Sequence, residues 1–241
     1  MLVAAAVCPC PPLLVPEVAA GAAPELDGLR AACDEALRTV LDARPELIVV
    51  VGPGPAADSA WHDQGAPGSF RPYGVAVDVR LGATGAGGAG VPVLRSPLPL
   101  SLTVGAWLLE RAGWRGLVRG LEVGGGREWP ANSEDGVRVA ALADRVGLLV
   151  MGDGSARRDL KAPGYLDERA GEADAGIAAA LARTGSDHFL PWLDADLARE
   201  LMISGRSPWQ VLDGAAGAGL GGRLLYDAAP YGVGYFVASW S

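Results

Sequence analysis

Two cysteines separated by a single proline, Cys8-Pro-Cys10, close the first apolar run of the chain, Leu2-Val-Ala-Ala-Ala-Val7. A thiolate there is a ligand for a soft or borderline metal. Zinc sites, however, use cysteines spaced two to four apart with a second pair elsewhere, and only Cys33 remains. Structural thiols are therefore the expected reading of Cys8 and Cys10. The second candidate set is Asp153, Ser155 and Arg157, in the turn Gly152-Asp-Gly-Ser-Ala-Arg-Arg158. An aspartate in such a turn accepts hydrogen bonds, ligates a metal or caps the next helix. Ser155 is not in a Gly-x-Ser-x-Gly elbow. Gly124-Gly-Gly126 has backbone amides that suit a phosphate, but no Walker lysine accompanies them, and a plain turn is the simpler reading. His62 and His188 are the only imidazoles, each expected to be solvated or locally hydrogen-bonded.

The elements that must position these residues alternate between strand and helix. The run Leu2–Val7 ends at Cys8-Pro-Cys-Pro-Pro12, where prolines remove backbone donors and stop regular pairing. Residues 24–44 place Leu26, Leu29, Cys33, Leu37, Val40 and Leu41 on one helical stripe, which makes Cys33 a buried hydrophobe. Leu47-Ile-Val-Val-Val51 is a β-branched run of the kind covered on both faces, ending at Gly52-Pro-Gly-Pro55. This strand–helix–strand order is a βαβ unit. Residues 56–74 read as a loop, 75–81 as an edge strand, 82–90 as a Gly/Ala turn and 91–94 as a short extended piece. Helices are expected over 99–112, 133–146 (opened by a capping box at Ser133), 168–182, 187–204 and 209–216, and strands over 117–123, 147–151, 224–226 and 232–240. Residues 1–241 then form one α/β domain, a mixed central sheet with helices on both faces.

In an open α/β sheet, ligands bind beyond the carboxyl ends of the strands. Cys8, Cys10, Pro53, Gly54, Gly124 and Gly125 stand at such ends, and residues 8–17 read as the lip of a pocket, with Tyr231 near its rim. The chain of 241 residues carries a formal charge of −8 and a single lysine, Lys161. That balance excludes a basic face for nucleic acid or an anionic membrane. No apolar run approaches the length of a membrane span. The opening residues lack the basic region of a signal peptide and read as a core strand, and three cysteines call for no oxidising compartment, so a cytoplasmic protein is expected.

The segment Ala6-Val-Cys-Pro-Cys-Pro-Pro-Leu-Leu-Val-Pro-Glu17 resembles the opening of the class III extradiol ring-cleavage dioxygenases of the catalytic B-subunit type, and of their Memo-like relatives. Residues 47–55, 148–158 and 229–238 resemble the second, a later and the closing strand of that family, in order and over nearly the whole chain. The resemblance implies the family's α/β fold and a site for Fe(II) on two histidines and a carboxylate. Where the family has its first ligand histidine this chain has Cys10, where it has the second it has Gly54, and where it has the acid–base histidine the turn reads Ser155-Ala-Arg157. The expected protein is thus a divergent member that has lost the iron site, needs no cofactor and keeps a pocket for a small molecule or a partner. Two alternatives stand beside it. One is an Fe(II) or Zn oxidoreductase on a rearranged set, Cys10, His62 and Asp153. The other is a metal-free hydrolase or transferase using Asp153, Ser155 and Arg157. Pairing of two copies through apolar surface such as Trp107 or Trp209 is also expected.

Overall fold

The computed structural model describes residues 1–83, 97–183, 190, 193–216 and 219–241. Its strands are β1 (Leu2–Cys8), β2 (Leu47–Gly54), β3 (Ser59–His62), β4 (Pro67–Ser69), β5 (Asp78–Arg80), β6 (Leu117–Gly124), β7 (Val146–Met151), β8 (Gly222–Ala228) and β9 (Tyr235–Trp240). Seven of them form one sheet in the order β3-β6-β2-β7-β1-β9-β8. The inner four, β6, β2, β7 and β1, run parallel, with Val7 and Val51 both opposite Val150 and Gly54 opposite Gly124. β3, β9 and β8 are antiparallel additions at the two sides. The architecture is the expected α/β one, with a mixed central sheet.

The helices are α1 (Pro16–Ala19), α2 (Asp27–Asp42), α3 (Leu100–Arg111), α4 (Trp129–Ala140), α5 (Arg169–Leu181), α6 (Ala195–Glu200) and α7 (Arg206–Ala215). Strand alternation divides the core in two. Ala5, Val7, Val49, Val51, Leu121 and Val150 face α4, α5 and α7. Ala4, Ala6, Cys8, Ile48, Val50 and Met151 face α2 and α3. Continuous apolar strands are what a sheet covered on both sides requires. α4 and α7 cross so closely that a side chain on Gly136 or Gly214 would meet backbone of the other helix.

Several expected boundaries move. His62 belongs not to a loop but to edge strand β3, paired to β6. The strand read at 75–81 shortens to β5 and pairs with β4 in a separate ribbon. α4 begins four residues ahead of Ser133, with Pro130 in its first turn, where its missing N–H is harmless, so Ser133 lies inside the helix and caps nothing. The long helix read at 187–204 is the six-residue α6, capped by the Asp194 side chain. Residues 91–94 and His188 lie outside the described residues. Trp209 is fully buried against Phe236, their ring centroids 6.1 Å apart, and offers no surface for pairing. No helix among the described residues is long and apolar enough to cross a membrane.

Candidate functional site

The four parallel strands end at one edge, on the α2–α3 face. After β1 the chain turns through Pro9-Cys10-Pro11 into a 3₁₀ turn, Pro12–Leu14, and then α1. This lip is braced from beneath. The buried Arg30 of α2 donates to the Leu14 carbonyl (3.2 Å), to the Ala23 carbonyl and to Asp27 (2.7 Å). A guanidinium has enough fixed donors to tie three points of irregular chain together. At its far side the lip meets the β8–β9 connection, where Tyr231 donates to Glu25 (2.9 Å). Tyr231 thus stands where the lip and the β8–β9 connection meet.

At the centre of the edge, Cys10 and Asp153 meet. The Cys10 amide donates to Asp153 Oδ1 at 2.8 Å, and its thiol lies 3.9 Å from Oδ2. Asp153 caps no helix. Its own amide donates to Ser204 Oγ (3.0 Å), and its carbonyl accepts from the Gly205 amide (2.9 Å). Two hydrogen bonds from Cys10 favour the carboxylate, but burial outweighs them, and the group is pushed up to about 6. The Cys10 thiol is raised well above its ordinary value by burial and by the neighbouring carboxylate, which makes it a poor nucleophile. Tyr235 is buried beside this pair, and burial with the Asp153 charge raises its phenol too. Cys8 does not line the edge. It is fully buried, its thiol against Cys33, which is the buried hydrophobe the helical stripe implied.

Two strands over from β7, on β6, the edge is closed by a carboxylate that the motif reading passed over. Glu122 of β6 is buried and sits 3.0 Å from His62 Nε2, while its other oxygen accepts the Ala56 amide at 2.7 Å. Gly54 lies directly over it: a Cβ at position 54 would fall on the Glu122 side chain. Gly52 is similarly blocked by Ser101, whose hydroxyl donates to the Pro53 carbonyl at 2.5 Å. Gly124 approaches the carbonyls of Ala56 and Ala57 too closely for any side chain, and its amide donates to Asp58 O (2.7 Å). Gly125 is exposed, with open space around it. Close backbone approach therefore demands a glycine at 124 alone, since Gly126 too has open space around it.

The turn after β7 is organised by a second carboxylate absent from the expectations, Asp174 of α5. Almost wholly buried, it accepts the Ser155 amide at 2.9 Å and pairs with Arg158 at 2.8 Å. Ser155 itself is completely buried and donates to Leu201 O (2.7 Å), so its hydroxyl faces away from solvent as a structural link. Arg157 lies 3.7 Å from Asp167, and its Nε is buried without a partner. Of the expected trio, only Asp153 lies at the strand-end edge, half-buried beside Cys10.

The same placement tests the two metal sets. Cys10 and Asp153 come together, but His62 is held by Glu122. Among the described residues no three His, Cys, Asp or Glu side chains are grouped to hold a metal ion. The iron site implied by the resemblance needs a histidine where Gly54 has neither side chain nor space for one, and the donor set at the matched positions does not fit it. A cavity of about 690 Å³ lies elsewhere, between the β4–β5 ribbon and the end of α3. Its lining, which includes Asp78, Arg80, Glu110 and Trp114, holds no histidine or cysteine.

Comparison with known proteins bears on the fold. No family model matches the chain, and no curated protein matches it. Among solved structures it is similar to the crystal structure of an uncharacterized protein, JW3007, from Escherichia coli K12, with a TM-score of 0.59 and 15% sequence identity over 99% of each chain. At that identity the likeness defines the class, a single-domain α/β protein with this sheet, and nothing narrower.

Proposed function

We propose that this protein is a divergent relative of the class III extradiol dioxygenases that has given up the histidine iron site and uses the strand-end edge to bind a small molecule. The observation that carries this reading is the Glu122 carboxylate, which fills the space above Gly54 and is itself held by His62 and the Ala56 amide. Restoring a ligand at position 54 would require displacing a buried, hydrogen-bonded carboxylate, not just exchanging one side chain. What remains beside it is Asp153, a half-buried residue whose Oδ1 takes the Cys10 amide and whose Oδ2 has only the Cys10 thiol near it.

A metal-free enzyme is the second reading, favoured by one fact: a partly exposed carboxyl pushed up to about 6 is suited to taking and returning a proton near neutrality. Ser155 has no part in it, being buried on Leu201. The proposal is tested by supplying the protein with Fe(II) under anaerobic conditions, admitting oxygen and measuring its uptake with simple catechols. No uptake above that of free iron is expected. Ring cleavage at a rate proportional to protein would overturn the reading.

A further inference from the structure

Asp153 is a carboxylate without a counter-ion. Its oxygens meet only the amide and thiol of Cys10, and among the described residues no arginine, lysine or histidine pairs with it. Among the described residues the other buried carboxylates are matched: Asp174 with Arg158, Asp135 with Arg127 and Glu122 with His62. The unmatched one is at the strand ends.

Its surroundings are aromatic. The antiparallel register that sets Val7 opposite Ala238 brings Tyr235 alongside Cys10 as the strands continue. Gly154 and Gly234 lock the two segments together, the Gly154 amide donating to Gly234 O at 2.7 Å and the Gly234 amide to Ser155 O at 2.9 Å. Tyr226, opposite Val237 on β8, and Tyr231 at the rim pack against the same apolar cluster as Cys10 and Tyr235. Leu13 and Val18 of the lip and Val233 pack, partly buried, against the same half of the core. Arg30, whose charge is felt by Tyr231, is already tied to Asp27 and two lip carbonyls.

We infer that the strand-end site takes an organic ammonium ion, a protonated primary amine on an apolar or aromatic body, with Asp153 as counter-ion and Tyr226, Tyr231 and Tyr235 around it. This inference rests on the reading of the edge as a metal-free small-molecule site and names its ligand class. Oδ1 is satisfied by the Cys10 amide, whereas Oδ2 has only a thiol 3.9 Å away, so an N–H donor completes the carboxylate. Phenol rings favour a cation over a neutral group of the same shape. An anionic ligand would meet an uncompensated carboxylate and be repelled.

The test is calorimetric titration of the intact protein near neutral pH with benzylamine and with its neutral isostere benzyl alcohol, alongside elemental analysis of the same sample. Benzylamine is expected to bind about tenfold tighter or better, a difference of roughly 1.4 kcal/mol. In Asp153→Asn the two should bind within about twofold of each other, since the charge is gone and the shape kept. Equal binding of both probes to the parent protein, or binding of neither, would overturn the inference without touching the metal-free reading. Stoichiometric iron in the sample would remove that reading instead. The parent comparison stands even where the variant does not fold.

Discussion

Asp153→Asn is expected to make the protein more stable near neutral pH, by about 1–2 kcal/mol. The Asp153 carboxyl is pushed from 3.8 up to about 6 by burial. A group whose folded value is raised binds its proton more tightly in the folded state. Its contribution is therefore most favourable below the unfolded value and is lost as pH rises towards the folded one. The window runs from 3.8 to about 6, and above it the parent protein carries a poorly solvated, unpaired charge. The full difference corresponds to roughly 3 kcal/mol, which partial exposure to solvent reduces. Asparagine keeps an oxygen for the Cys10 amide and removes the charge. The gain should thus grow between these pH values, level off above about 6, and vanish in acid, all of it readable from urea unfolding at a series of pH values. A variant no more stable than the parent throughout would show that Asp153 is already well solvated or paired. A stabilising substitution at a conspicuous site is the mark of a residue kept for function.

Asp174→Ala should do the opposite, and strongly. The substitution strips the partner from the Ser155 amide, which is buried, and from Arg158, which is about one-third exposed. A buried amide left without an acceptor costs about 1–3 kcal/mol, and breaking a buried ion pair about 3–5. Because Arg158 retains some access to water, a total loss of about 2–4 kcal/mol is expected in the midpoint of urea unfolding. Asp174→Asn should lose distinctly less, since its carbonyl oxygen still accepts from Ser155 and burial already disfavours the charge. Equal losses in the two variants would show that the cavity, rather than the hydrogen bond, sets the cost. The brace also positions the site, for Gly154 and Gly234 both pass too close to Asp174 for any side chain.

The sheet was legible because its inner strands are short apolar runs ending in proline or glycine: Leu2–Cys8, Leu47–Gly54 and Val146–Met151. β3 escaped because Ser59–His62 has no apolar pattern, and its pairing with β6 alone makes it a strand. The helix start at Ser133 failed because the capping-box pattern there is only local, whereas the helix opens at Trp129 with Pro130 in its first turn, where a proline is tolerated. In the site, Asp153 was found from its turn, but Glu122 and Asp174 were not. Each left a signal. Glu122 is the charge that falls in step with Val118 and Gly120 at the covered end of β6, whereas Arg119 lies on the alternate positions. Asp174 sits within the stripe Ala170, Ile177, Ala178 and Leu181 that α5 buries. A charged residue where the period demands an apolar one is unusual unless paired, and Arg158 and His62 are those partners. The partners are distant in sequence, so the pairing is visible only once the fold brings them together. Ser155 misled for the converse reason: its turn suggested exposure, and its hydroxyl points inward to Leu201.

The central claim, that the family's iron site has been replaced by a metal-free edge built around Asp153 and the Glu122–His62 pair, is tested most directly by metal content. Protein purified anaerobically, with Cys10→Ala prepared in parallel, would be measured by elemental analysis. Neither sample should contain iron or zinc approaching one ion per chain. Near-stoichiometric metal in the parent that disappears in Cys10→Ala would contradict the account and place a metal on the Cys10–Asp153 pair.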